Sequence, residues 1–227
     1  MKITLVLLFS VFVFSGCNIG TAVIFATAPE PSQEALYKLK QDEVTAVFVD
    51  DRRNIMQERG FVFVIAEAVN RSLEAKNLCN KLLPSRKTIG SIIQKDTYSE
   101  PLTVEAIGQL VGATQVIYIK IDAFGFVKEP RKSNLIPVSQ ASVKVIDLNE
   151  KKRVFPNEAL QKDWHTISAK IERINPLQAA GETRYRREQL VELSKKLGEE
   201  VARIFYDHYL IERGDPSSLG NRLQRGR

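Results

Sequence analysis

The sequence has few of the residues on which catalytic and metal sites usually depend. Its 227 residues include two cysteines, two histidines and one tryptophan. It contains no Gly-x-Ser-x-Gly elbow, no His-Glu-x-x-His segment, no paired-cysteine metal signature and no Walker phosphate loop. We therefore assign no catalytic residue, no metal site and no cofactor, and we expect a protein that is not an enzyme.

The two histidines and one of the cysteines have structural interpretations. The pattern places His165 in a strand and His208 near the end of the last helix, where the helix dipole favours a cation. Cys79 is predicted as a small apolar residue at a helix end, because a nucleophilic thiol would need a histidine partner and the sequence points to none.

Positive charge exceeds negative charge by a small margin. The formal net charge of +6 would suit an anionic polymer, lipid head groups or nucleic acid. The basic residues are mixed with acidic ones, and no aromatic residues alternate with them as single-strand binding requires. We interpret the charge as a solvated surface and expect no nucleic-acid partner.

The N-terminus has the pattern of an export signal. Lys2 precedes an apolar stretch over residues 3–14 that is too short to span a bilayer by itself. The following segment Phe14-Ser15-Gly16-Cys17 resembles the lipobox of bacterial lipoproteins, with phenylalanine where leucine is usual. The resemblance implies cleavage after residue 16 and attachment of a diacylglyceryl group to the Cys17 thiol. Acylation of the new amino group would add a further chain and make the anchor stable.

An uncleaved signal anchor is the alternative for this segment. No charged residue lies between Lys2 and Glu30, and a second apolar patch at residues 21–28 would lengthen the span. Both alternatives place the rest of the chain in the cell envelope, outside the cytoplasm. In lipoproteins, an asparagine such as Asn18 after the cysteine favours the outer membrane, here facing the periplasm.

The remaining chain is predicted to have three parts. Residues 17–42 are the lipid attachment site and a tether, residues 43–211 form one domain, and residues 212–227 form a flexible basic tail. With Cys17 lipidated, Cys79 is the only remaining thiol, so no internal disulfide is expected.

Hydrophobic periodicity predicts the elements of the domain. Residues 82–93 are ambiguous, with a possible short strand and a short helix around Ile92. The order of elements favours an α+β fold with one mixed, mostly antiparallel sheet packed by helices in a two-layer sandwich. The other predicted elements are a helical turn at 36–40, a strand buried on both faces at 44–49, helices at 61–78 and 104–111, strands at 115–127, 140–148, 153–155 and 164–171, and a helix at 184–209.

Two segments carry a further resemblance. Residues 65–73 read Ile-Ala-Glu-Ala-Val-Asn-Arg-Ser-Leu, and residues 107–118 lead from a helix through Gly-Ala into a long strand. Together with the order of elements, they resemble a group of envelope lipoproteins that includes the activators of penicillin-binding-protein synthases and the curli secretion subunit. The resemblance implies non-enzymatic binding of a protein partner in cell-wall synthesis or in secretion and assembly. It implies no oligomeric state.

Three carboxylates leave an enzymatic alternative open. Asp50 and Asp51 follow the first strand of the domain, and Asp122 lies near the predicted end of another strand, where ligands often collect. They could serve an envelope hydrolase as acid and base. We favour a solvated turn or a helix cap for them, because no third ligand or base is identifiable.

Two further alternatives concern surfaces. Trp164 and Tyr118 are predicted either to pack in the core or to form an apolar surface for a partner. The basic tail at residues 214–227 would suit a structural tether that touches anionic cell-wall polymer.

Overall fold

The structure is a computed structural model that describes residues 32–96, 101–128, 135–157, 163–171 and 183–209. The lipobox with Cys17, the predicted export signal, most of the predicted tether and the basic tail lie outside the described residues. The described elements are β1 (Ser32–Gln33), β2 (Val44–Asp50), α1 (Gly60–Ala75), β3 (Lys81–Leu82), α2 (Ser85–Lys95), α3 (Val104–Val111), β4 (Gln115–Lys128), β5 (Leu135–Asp147), β6 (Lys152–Phe155), β7 (His165–Lys170), α4 (Thr183–Ala202), a 3₁₀ turn (Arg203–Phe205) and β8 (His208–Tyr209).

The chain divides into two units. One contains the short antiparallel pair of β1 and β8, and the other covers residues 34–207. The second unit has a mixed sheet in the order β3-β2-β4-β5-β6, in which β7 also pairs with β5. Strand β2 is parallel to β3 and β4, and β5 is antiparallel to β4, β6 and β7. The predicted α+β fold, with a mixed and mostly antiparallel sheet packed by helices, is confirmed.

Alternation along β4 divides the core between the two faces of the sheet. Ile117 and Ile119 belong to a large apolar cluster with α1 and α4, whereas Val116 and Tyr118 belong to a smaller cluster with α3. Further along this second face the strands carry polar or partly exposed side chains, among them Lys120 on β4. Polar side chains opposite a buried face are typical of antiparallel sheets.

The short helix α3 begins and ends where the sequence predicts. The Thr103 hydroxyl accepts a hydrogen bond from the N–H of Ala106 at 3.2 Å, which satisfies one free donor of the first turn. Gly112 follows the helix with φ of 74°, a left-handed conformation that glycine adopts without steric cost.

Two predicted helical segments differ from the structure. Residues 36–40 are not helical, and the N–H groups of Leu36 and Tyr37 donate to the carbonyl of Ile204 at 2.8 and 3.2 Å. Helix α4 ends at Ala202, so His208 lies in β8 and not at the end of a helix. The apolar spacing misplaced this end because burial continues through the 3₁₀ turn.

A charged network attaches the segment before β2 to the turn between β5 and β6. The Lys40 ammonium lies 2.6 Å from an Asp147 carboxylate oxygen and 2.6 Å from Glu150. The other Asp147 oxygen accepts hydrogen bonds from the N–H groups of Asn149 and Glu150, both at 2.9 Å. The Asp147 side chain is only 2% exposed, so its buried carboxylate needs these hydrogen-bond partners.

We expect this network to make folding pH-dependent. Burial alone would raise the pKa of Asp147, but hydrogen bonds from Lys40 and the turn hold that pKa below its ordinary value of 3.8. Asp147 therefore adds stability above pH 3.8 that is lost as the pH falls through the lower folded-state pKa. Urea unfolding of Asp147→Asn should differ from wild type most at neutral pH and progressively less in acid. The exposed Asp42→Asn is the control, and an Asp147→Asn profile parallel to wild type would contradict the prediction.

Candidate functional site

The carboxyl end of β2 borders a cavity of about 510 Å³. Sheets with parallel strands often collect ligands at this end, which is where the sequence placed Asp50 and Asp51. The lining of the cavity combines apolar and charged side chains. Its lining includes Phe48, Val62, Ile89, Ile92, Asp50, Asp51, Arg52, Arg59 and Asp96.

Asp51 organises the loop that leads into α1. Its two carboxylate oxygens accept hydrogen bonds from the N–H groups of Ile55 at 2.8 Å and Met56 at 3.1 Å. The loop contains two left-handed residues, Asn54 with φ of 52° and Gln57 with φ of 61°, so it needs such support. Asp51 therefore stabilises this loop, whereas the sequence interpretation was a solvated turn or a helix cap.

Asp50 is engaged by a neighbouring strand and by its own loop. One carboxylate oxygen accepts a hydrogen bond from the Tyr118 hydroxyl, and the other accepts from the Arg52 N–H at 3.0 Å. Burial, followed by the hydrogen bond to Asp50, raises the pKa of Tyr118. Tyr118 is 6% exposed and is a core residue.

Arg52 and Asp96, which both line the cavity, form a two-point ion pair. The Arg52 Nε and Nη2 atoms each lie 3.0 Å from an Asp96 carboxylate oxygen, and Nη2 also donates to the Leu102 carbonyl at 2.8 Å. The Leu102 N–H donates to Asp96 at 2.7 Å. This planar pairing positions α2 and the start of α3 against the end of β2.

Asp122 has a different set of partners from the other two carboxylates. It falls within β4 at a β-bulge and not near the strand end, which corrects the sequence interpretation. It accepts a hydrogen bond from the Ser142 hydroxyl and forms ion pairs with Lys120 at 3.4 Å and Arg53 at 3.5 Å. Each of the three predicted carboxylates thus has its own structural partners. Within the described ranges, no group of three histidine, cysteine or acidic side chains is placed to hold a metal ion.

Removing the Asp51 carboxylate should destabilise the fold. Hydrogen bonds to a charged group contribute about 1.5–3 kcal/mol, so Asp51→Ala should lower the free energy of unfolding by about 2 kcal/mol. Urea denaturation measures the change. Glu74→Ala, an exposed acidic residue on α1, should alter stability by less than about 0.5 kcal/mol. Full stability of Asp51→Ala together with loss of an activity would instead support the hydrolase alternative.

The second sheet face brings basic and aromatic residues together beside the smaller apolar cluster. The rings of Tyr118 and Trp164 have centroids 5.6 Å apart. The ammonium groups of Lys120 and Lys144 lie 4.5 and 4.3 Å from the centre of the Trp164 ring. Arg153 pairs across from Ile146 and faces the same side as Lys144. We call Tyr118, Lys120, Lys144, Arg153 and Trp164 the Trp164 surface.

Sequence reasoning found the two aromatic residues of this surface but missed the three cations. Trp164 is half-buried, so it contributes both to packing and to the accessible face. The alternation of β4 placed Lys120 on the same side as Tyr118, which was an available signal. No signal in the sequence indicated that β5, β6 and β7 bring Lys144, Arg153 and Trp164 to this face, because that depends on strand register.

The other residues singled out in the sequence occupy separate places. Cys79 is a free, half-buried thiol in the loop after α1, beyond the helix end predicted for it, and burial raises its pKa. The His165 ring packs 5.4 Å from the Phe155 ring on the face of the large apolar cluster. Among the helices of the described ranges, none combines the length and apolar character needed to cross a membrane.

No protein-family model matches the sequence, and a comparison with curated proteins finds no significant match. Solved structures with a similar arrangement include the PelC dodecamer from Paraburkholderia phytofirmans, at TM-score 0.38 and 9% identity over 79% of this chain and 99% of that one. Lipoprotein GNA1162 from Neisseria meningitidis is similar at TM-score 0.37 and 10% identity over 61% and 87% of the two chains. A minor lipoprotein from Acinetobacter baumannii is similar at TM-score 0.34 and 6% identity over 70% and 85%.

Two of these three proteins are lipoproteins by their own descriptions. At such low TM-scores, the similarities do not transfer a function to this chain. The predicted resemblance to the penicillin-binding-protein activators and the curli secretion subunit stays a prediction.

Proposed function

We propose that this protein is an envelope lipoprotein, anchored through Cys17 in the outer membrane and facing the periplasm, that binds a protein partner and does not act as an enzyme. The lipobox pattern supports the anchor. The Trp164 surface is the observation that carries the binding role, because it places a half-buried tryptophan beside three partly exposed basic residues on the second face of the sheet. Aromatic residues and arginine are enriched in protein interfaces.

The charge pattern around this surface favours a protein over an anionic polymer. Lys120 is paired with Asp122, and Arg153 is paired with the exposed Asp163 at 2.8 Å. Glu105 also lies close enough to act electrostatically on Lys144. A surface with both signs suits a partner of complementary charges, whereas a uniformly anionic polymer would meet repulsion from the acidic residues. A peptidoglycan synthase or a secretion component is the kind of partner that the family resemblance implies.

Site-specific crosslinking in the membrane-anchored full chain tests the proposal. A photoreactive residue at Thr166, which is exposed on the same sheet face, should capture one envelope protein. The same residue at Lys87, exposed on α2, should not capture that protein. The crosslink should disappear when Trp164→Ala is added, and the purified pair should bind directly. Equal capture at both positions, or capture unaffected by Trp164→Ala, would refute the role of this surface.

A further inference from the structure

Helix α1 forms a groove with the two helices beside it. A cavity of about 570 Å³ is lined by α1 between Gly60 and Arg71, by Arg86 of α2, and by Val191 and Lys195 of α4. Helices α1 and α4 pack on the large apolar cluster, so this cavity lies on the other side of the sheet from the Trp164 surface. We call it the α1 groove.

Part of the groove is apolar. Helix α1 packs a buried stripe that includes Ile65 and Val69 against the sheet. Phe63 and Val64 lie half-buried beside that stripe, and they line the groove together with the half-buried Val191. The outer side of a surface helix is usually polar, so accessible apolar side chains there indicate a surface for association.

Two guanidinium groups of the groove are unpaired. Arg71 and Arg86 are exposed, and neither forms a hydrogen bond or an ion pair with another residue of the described ranges. Lys195 lies 3.3 Å from Glu192 of its own helix, an exposed contact that contributes little. Glu67 is the single acidic residue of the lining, so positive charge predominates.

The start of α2 adds to this positive charge. Its first turn contains Arg86 and Lys87 and no acidic residue. The N-terminal end of a helix carries a partial positive charge, which favours a nearby anion and disfavours cations. An acidic group beside Arg86 would therefore interact favourably with the guanidinium and with the helix end.

The elements around the groove determine the form of an occupant. Every lining residue lies in a helix, where the backbone groups bond mainly within that helix. An extended peptide would find no strand edge to pair with, whereas a helix satisfies its own backbone groups. The stretch of α1 from Gly60 to Arg71 is about 16 Å long, which accommodates about three turns of a bound helix.

We propose that the α1 groove binds an amphipathic helix of a partner protein, with apolar side chains against Phe63, Val64 and Val191 and acidic side chains paired with Arg71 and Arg86. This second binding surface goes beyond the proposed function, which concerns the Trp164 surface. Charge complementarity determines the occupant. Neither terminal segment outside the described residues contains a cluster of acidic residues, so the helix comes from another protein. Insertion into a bilayer requires fully exposed apolar side chains, whereas those of the groove are half-buried in a cavity.

Peptide binding to the full-length lipoprotein tests this inference. The lipoprotein is held in nanodiscs of uncharged phosphatidylcholine, and binding of a fluorescein-labelled peptide is followed by anisotropy, with empty nanodiscs subtracted. The peptide forms about three helical turns, with one stripe of leucines flanked by glutamates. We expect saturable binding of this glutamate peptide and about tenfold or more weaker binding of the matched glutamine peptide.

Exchanging the charges separates pairing in the groove from general attraction. Arg71→Glu combined with Arg86→Glu should lose binding of the glutamate peptide and gain binding of a peptide with lysines at the same positions. Lys38→Glu combined with Lys128→Glu changes the net charge equally at exposed positions outside the groove, and it should leave the glutamate titration unchanged. Thermal melting should be close to wild type for both double variants, because all four side chains are exposed.

Three outcomes would overturn the acidic helix. The first is equal binding of the glutamine peptide, and the second is unchanged glutamate binding after the charge exchange at Arg71 and Arg86. The third is a charge exchange that weakens binding to phosphatidylglycerol vesicles and leaves the peptide titration constant, which would assign both arginines to a membrane surface. Crosslinking from Thr166 should be unaffected by the exchange, so failure of the α1 groove leaves the Trp164 surface standing.

Discussion

A chain in which Cys17 is replaced by alanine is expected to keep residues 1–16 and to carry no acyl group. The thiol is the only atom of the lipobox that can accept the diacylglyceryl group, and cleavage follows that modification in the lipoproteins that the segment resembles. Intact-mass measurement of membrane-extracted protein should show wild type without residues 1–16 and with acyl chains. The Cys17→Ala chain should lack both changes.

Cys79→Ala is the matched control, since it removes the other cysteine of the sequence and should leave processing and lipid unchanged. A wild-type chain that is unmodified and full length would contradict the prediction. It would support the signal-anchor alternative. The domain would then be held at the membrane by the apolar N-terminal stretch.

Replacing Gly198 by alanine should weaken the contact between α1 and α4. A Cβ atom at Gly198 would lie 2.6 Å from the Ala68 Cβ and 2.6 Å from the Ile65 carbonyl oxygen. Both distances are far below van der Waals contact, and the carbonyl belongs to backbone that cannot move without shifting α1. Overpacking of this kind costs about 1–3 kcal/mol, and we expect a value near the upper end of that range. Urea unfolding gives the free energy.

Gly90 in α2 provides a control of the same chemistry. A Cβ atom there would have no neighbour within 4 Å, so alanine adds no clash. Alanine is favoured over glycine in a helix interior by about 0.5–1 kcal/mol, so Gly90→Ala should stabilise the protein. If Gly198→Ala and Gly90→Ala shift stability in the same direction, the close approach of α1 and α4 does not limit the size of the side chain at position 198.

The order of elements was predictable because it depends on local patterns. A continuous β-branched run predicted β2 with both faces buried, and alternation predicted β4. Thr103 and Gly112 marked the ends of α3, because caps act within one helical turn. The end of α4 was missed, since apolar spacing records burial and not hydrogen bonding.

The candidate site was only partly predictable. The sequence located Asp50 and Asp51 at the end of a parallel strand, where the structure has a cavity. It did not reveal that their carboxylate oxygens accept hydrogen bonds from the Tyr118 hydroxyl and from backbone N–H groups. These contacts depend on strand pairing and on the path of a loop.

By itself, the sequence determined the pattern of an export and lipidation signal, the class of fold and the scarcity of catalytic groups, because these follow from composition and from the spacing of neighbouring residues. Only the tertiary structure decided the role of each carboxylate and the assembly of the Trp164 surface. Its residues come from β4, β5, β6 and the position just before β7, which are brought together through strand register. An interaction between residues far apart in sequence leaves no periodic pattern, so it appears only when the strands are paired.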